Sequence, residues 1–197
     1  MPTLASIKAN QQAIGNWGNV MQLRPYQQDA VDSAIAWMRK STEPALLGLS
    51  TGAGKSHIAA AIALWITQKT GKKVLVLQPS KELTSQNFEK YLATGEKASI
   101  FSASANSKCT RHNVVYATPK TVLNSIARFG DAFGAVIIDE AHHLRSVSTR
   151  RHHRTTELCA RATVLLLSAT PIHNRAADLE EMVRLLHLPE RGEGTEQ

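Results

Sequence analysis

Short runs that are apolar at every position, separated by stretches of helical periodicity, constrain this chain more than any other feature. ALLGLS at 45–50, VLVLQ at 74–78, NVVYAT at 113–118, AVIID at 135–139 and TVLLLS at 163–168 are such runs. A strand with one wet face alternates apolar and polar residues; a strand apolar throughout is buried on both faces. Between the runs, Val31, Ala34, Ile35 and Met38 fall at helical spacing after Pro25, which suits a first helical turn. Ile58, Ile62, Trp65 and Ile66 mark a second helix, which starts near Lys55 and stops at Gly71. A third helix is expected over 81–92, a fourth from Pro119 and a last over roughly 176–186. Five buried strands joined by helices predict an α/β fold, a parallel sheet with helices on both faces. Ligands of such sheets bind beyond the carboxyl ends of the strands. The polar motifs of this chain follow those ends.

The 197 residues suffice for one domain with a substantial core. Residues 1–22 read as a flexible lead-in, 23–190 as the domain and 191–197 as a disordered tail. There is no internal repeat. No apolar run approaches the ~18 residues of a membrane span, and the first residues lack the pattern of a signal peptide. Cytoplasm is the expected compartment, and the widely separated Cys109 and Cys159 are expected as reduced thiols. The net charge of +7 favours polyanions, nucleic acid above all. That charge is clustered: residues 143–175 hold six arginines and one acid, Glu157, whereas 176–197 hold two arginines and six acids.

STGAGKS at 50–56 lies between a strand and a helix. Gly52 and Gly54 let the backbone curl and turn the N–H groups of Thr51, Gly52, Ala53 and Gly54 inward. The helix N-terminus adds a positive end. Lys55 would reach the β- and γ-phosphates of a nucleotide, and Ser56 would ligate magnesium. The strict pattern GxxxxGKS wants glycine at Leu49 and so fails by one residue. The plainer reading is a glycine-rich turn with an exposed lysine.

DEAH at 139–142 follows the strand AVII. Asp139 at a strand end can hold the magnesium ion, and Glu140 can orient and deprotonate an attacking water. Two acids beside apolar residues are costly to bury without a cation. SAT at 168–170 follows a further strand; the hydroxyls of Ser168 and Thr170 could bond His142 and couple nucleotide state to the domain. The same three residues also suit a helix cap before Pro171. TRRHHR at 149–154 is the most basic patch. The pairs His142/His143 and His152/His153 make a poor zinc site, since adjacent histidines rarely aim at one metal.

Together these residues resemble the first RecA-like motor domain of helicase superfamily two. STGAGKS resembles its motif I, where alanine often stands at the position of Leu49, DEAH motif II and SATP at 168–171 motif III. LRPYQ at 23–27 is similar to its Q-type motif, which implies that Gln27 contacts adenine. QPSKELTSQ at 78–86 resembles motif Ia and ATPKT at 117–121 the Ib region, which implies that Lys81, Thr118 and Lys120 touch a nucleic-acid backbone. The stretch from DEAH to the last helix is more similar to Swi/Snf-type remodelling ATPases, and the first half to phage or bacterial DNA helicases. DNA is therefore the expected partner over RNA. The resemblance also implies a second RecA-like domain carrying an arginine finger, which the 197 residues have no room to repeat.

Three readings follow. One is a DNA-dependent motor ATPase using ATP and magnesium, slow without its second domain. The next is a nucleotide- or DNA-binding module without useful catalysis. The last, a small-molecule kinase, leaves DEAH and SAT in this order unexplained.

Overall fold

Helix α1 (Pro25–Lys40) begins with proline, and its N-cap residue Arg24 donates its N–H to Gln27 Oε1 at 2.9 Å. The computed structural model describes residues 22–125, 129, 132–141, 158–159 and 162–169. After α1 come β1 (Ala45–Gly48), α2 (Lys55–Thr70), β2 (Val74–Leu77) and α3 (Lys81–Leu92). The chain continues through β3 (Ala98–Ser102), β4 (Ser107–Lys108), β5 (Val114–Ala117), α4 (Pro119–Leu123), β6 (Ala135–Ile138) and β7 (Thr163–Ser168).

The seven strands form one sheet in the order β1-β7-β6-β2-β5-β3-β4, parallel except where β4 pairs antiparallel with β3. Successive residues of each strand serve opposite cores. Val74 and Val76, with Ile137, Leu165 and Tyr116, pack under α1, α2 and α3. Leu75 and Leu77, with Ile138, Leu166 and Val115, join Phe101, Val122, Phe129 and Phe133 on the other face. The strands read as apolar throughout because both faces are covered. Helix α2 is likewise buried from Ile58 to Ile66, wedged between the sheet and its two neighbouring helices. Burying one such isoleucine is worth about 1.5–3 kcal/mol. Gly71 closes α2 in the left-handed conformation, φ +67°.

Among the described residues the structure shows seven strands where five were expected. β3 carries Ser99 and Ser102 among its apolar residues, which hides it from a search for apolar runs. Both hydroxyls are buried and partnered: Ser99 by His112, Ser102 by Thr118. Four expected strands also end early or start late. Gln78 N–H still bonds Ala117 O, and Asp139 N–H bonds Leu77 O, one residue past each strand end. Trp65 is buried in the core, but Trp37 is 46% exposed, its indole N–H bonded to Glu43 O. The expected helix at 176–186, the lead-in before Gln22, the tail, the basic run 149–154 and both histidine pairs lie outside the described residues. Among the described residues no helix is long and apolar enough to cross a membrane.

Candidate functional site

The loop between β1 and α2 needs glycine at two places. Gly52 and Gly54 have φ of +81° and +76°, in the left-handed region that a Cβ disfavours. A Cβ on Gly54 would also collide with the Gln27 side-chain amide. That amide is buried, and it braces the loop from behind: Nε2 donates to Ala53 O at 2.9 Å. The Tyr26 hydroxyl donates to the same carbonyl at 3.2 Å. A cleft of about 560 Å³ opens here, lined by Tyr26 and residues 48–53, Thr51 among them. Lys55 and Ser56 are the first residues of α2, whose first turn carries no acid to offset its positive end.

Sheet order brings the second half of the site to the first. β1 and β6 both flank β7, so the segments leaving their carboxyl ends meet across the end of β7. Lys55 Nζ lies 3.1 Å from Glu140 Oε1, with the two side chains 10% and 23% exposed. Asp139 is buried; its Oδ1 accepts the Glu140 N–H at 3.0 Å and its Oδ2 a long, weak contact from Asn87 Nδ2 at 3.5 Å. Burial, then the like charge of Glu140, push the Asp139 carboxyl above the usual range, while the Glu140 N–H and Lys55 pull it back. Glu140 has φ +50°, which costs a non-glycine residue about 1–2 kcal/mol.

Ser168 ends β7 and is buried; its carbonyl accepts the Leu49 N–H at 2.9 Å and so ties β7 to the start of the loop. His142 and Thr170, the expected coupling partners, lie outside the described residues.

The donor set suits a hard cation. Ser56 offers a hydroxyl and Asp139 a buried carboxylate held above its usual range by burial and by the charge of Glu140, an environment that an oxygen-ligated ion such as magnesium would relieve. Burial holds the His57 imidazole below its ordinary value, helped by the charges of Lys90 and Arg24.

A separate cleft of about 390 Å³ lies beyond the ends of β2, β3 and β5. Lys81, Lys120 and Thr118 all line it. The Thr118 hydroxyl is buried and shared with Ser102 at 3.2 Å and Thr121 at 3.0 Å, so it fixes the wall, while Lys81 and Lys120 are exposed. Lys108, from the β3–β4 hairpin, also lines this cleft.

Sequence reasoning passed over Lys108, Asn87, Tyr26 and Lys90. The signal for Asn87 was available. It shares the buried stripe of α3 with Thr84 and Tyr91, and a polar side chain on a buried stripe needs a partner. Lys108 was hidden with its hairpin.

Residues 20–173, well over half the chain, match the family model described as type III restriction enzyme, res subunit. The mouse DNA repair and recombination protein RAD54B is 27% identical over 188 residues, 85% of this chain and 20% of RAD54B. The UvsW helicase from bacteriophage T4 superposes with a TM-score of 0.64 at 21% identity, over 83% of this chain and 58% of UvsW. The Sulfolobus solfataricus SWI2/SNF2 ATPase core, solved in complex with dsDNA, gives a TM-score of 0.67 at 20% identity, over 85% of this chain and 36% of the core. The chain spans 17–29% of the length of the curated relatives it matches. It belongs to the res-subunit family of type III restriction enzymes, and its fold is that of the first RecA-like domain of a superfamily-two helicase.

Proposed function

We propose that this chain is the ATP-binding domain of a DNA-dependent motor ATPase, a helicase or translocase. One observation carries the reading: Lys55 of the glycine loop and Glu140 of the acidic pair, far apart in sequence, stand 3.1 Å apart at the sheet's carboxyl edge. A phosphate-binding lysine beside a carboxylate able to serve as base is the pair that phosphoanhydride hydrolysis needs.

The roles follow from position. Residues 51–54 would present amide N–H groups to phosphate, that of Ala53 by leaving its bond to Ser50 O, with the helix end behind them. Lys55 exchanges Glu140 for the phosphates when nucleotide enters, and this releases the carboxylate to orient a water and take its proton at Oε1. Ser56 and Asp139 would hold magnesium, and the ion would supply neutralisation of phosphate charge. Gln27 holds the loop in shape and stands at the nucleotide's base side. Ser168, through Leu49, joins the third strand end to the loop, with His142 and Thr170 as the proposed coupling partners.

The test is titration of Mg·ATP against the chain and against Lys55→Ala. Binding by the parent is expected to weaken about 10- to 100-fold in the variant, the worth of a charge-assisted hydrogen bond. Equal binding by both would remove Lys55 from the phosphates. No binding by a folded parent would sink the nucleotide reading.

The cleft at Lys81 and Lys120 takes the nucleic-acid backbone in this reading, and the similarity to a DNA repair protein and to a dsDNA-bound ATPase core favours DNA. Phosphate contacts give affinity without sequence preference and make it salt-dependent. Each of Lys81→Ala, Lys108→Ala and Lys120→Ala is expected to lower the slope of log affinity against log salt by about 0.9. Slopes that match the parent in all three variants would place the DNA elsewhere.

A further inference from the structure

Lys90 reaches the phosphate loop from a neighbouring helix. It lies near the end of α3, half-buried, and its ammonium donates to Ser56 Oγ at 2.9 Å. The two residues are 34 positions apart, so this is a tertiary contact and not a local one. An ammonium at the end of a four-carbon stem has water as its alternative partner. Leaving water for a neutral hydroxyl costs solvation, yet the contact is made at 2.9 Å between two part-buried side chains, while Lys55 faces Glu140. The positive charges near the loop are thus divided, Lys55 on the carboxylate and Lys90 on the hydroxyl.

Ser56 Oγ is also the oxygen that fits magnesium. An ammonium within hydrogen-bond distance of it cannot keep that place beside a divalent ion on the same atom, because the like charges would sit only a few ångströms apart. We propose that Lys90 is a stand-in cation. It occupies Ser56 when no metal is present, lends its charge to nucleotide bound without metal, and gives way when magnesium arrives. This rests on the nucleotide reading above and adds to it a definite consequence. The chain should bind metal-free nucleotide better than a loop with Lys55 alone, and magnesium should tighten that binding less, since it must displace a resident charge.

The experiment compares the chain with Lys90→Met and Lys90→Arg. Each is titrated with a fluorescent ATP analogue, once in excess EDTA and once in magnesium, with circular dichroism to establish that all three are folded. Lys90→Met is expected to lose about tenfold in metal-free affinity while its affinity in magnesium holds or rises. The ratio of the two dissociation constants therefore grows about tenfold or more. Lys90→Arg keeps the charge and is expected to keep the parent's ratio. A ratio unchanged in Lys90→Met, with nucleotide still bound, overturns the stand-in role and leaves the nucleotide site standing. Equal weakening in both conditions also overturns it, since Lys90 would then be a permanent phosphate contact. Failure of the folded parent to bind in either condition overturns both readings together.

Discussion

Glu140→Gln is expected to leave Mg·ATP binding nearly intact and to slow hydrolysis by about 10²- to 10⁴-fold, the usual contribution of a positioned general base. Glutamine keeps the shape and the hydrogen-bonding reach of glutamate. It cannot take a proton, and it cannot hold Lys55 as an ion pair. The lysine loses its competing partner at 3.1 Å, so binding holds or tightens slightly. Asp139 is also relieved of the like charge that, after burial, pushes its carboxyl up. Single-turnover release of phosphate, measured with enzyme in excess, separates the chemical step from binding. A variant that hydrolyses within twofold of the parent would take Glu140 out of the reaction.

The 197-residue chain on its own is expected to turn over ATP slowly, by about 10³- to 10⁵-fold relative to a motor with an arginine supplied across the cleft. The described site is built from the strand ends of one sheet, and among the described residues Lys55 and Lys90 are the cations in direct contact with Glu140 and Ser56. A point charge binds phosphate well, but the forked guanidinium that follows charge into the transition state has to come from elsewhere. Phosphate release by a preparation shown to be monomeric by sedimentation, with and without DNA, measures this. A rate within tenfold of a two-domain superfamily member, from a proven monomer, would show that the site is complete in itself.

Much of this was legible in sequence, for identifiable reasons. The buried strands announced themselves because both of their faces are covered, and Pro25, Gly71 and Pro119 marked helix boundaries because backbone geometry demands them there. The loop 50–56 and the acids 139–140 were legible as motifs, since phosphate chemistry restricts which residues serve. Their closeness was not, because it depends on strand order: only the insertion of β7 between β1 and β6 makes them neighbours. β3 escaped because its serines satisfy their hydroxyls through tertiary partners, which no local pattern reveals. Lys90 escaped for the same kind of reason. On its own helix it is an ordinary half-solvated lysine, and its meaning comes from what α2 places opposite it.

The left-handed backbone at Glu140 sets endurance against the proposed chemistry in a single residue. Glycine or asparagine would sit there with less strain, so a selection for heat resistance alone should drift toward them and return sturdier proteins without the carboxylate that the proposed hydrolysis needs. A laboratory seeking a hardier version of this domain would do well to hold position 140 fixed and look for its gains in the cores on either side of the sheet.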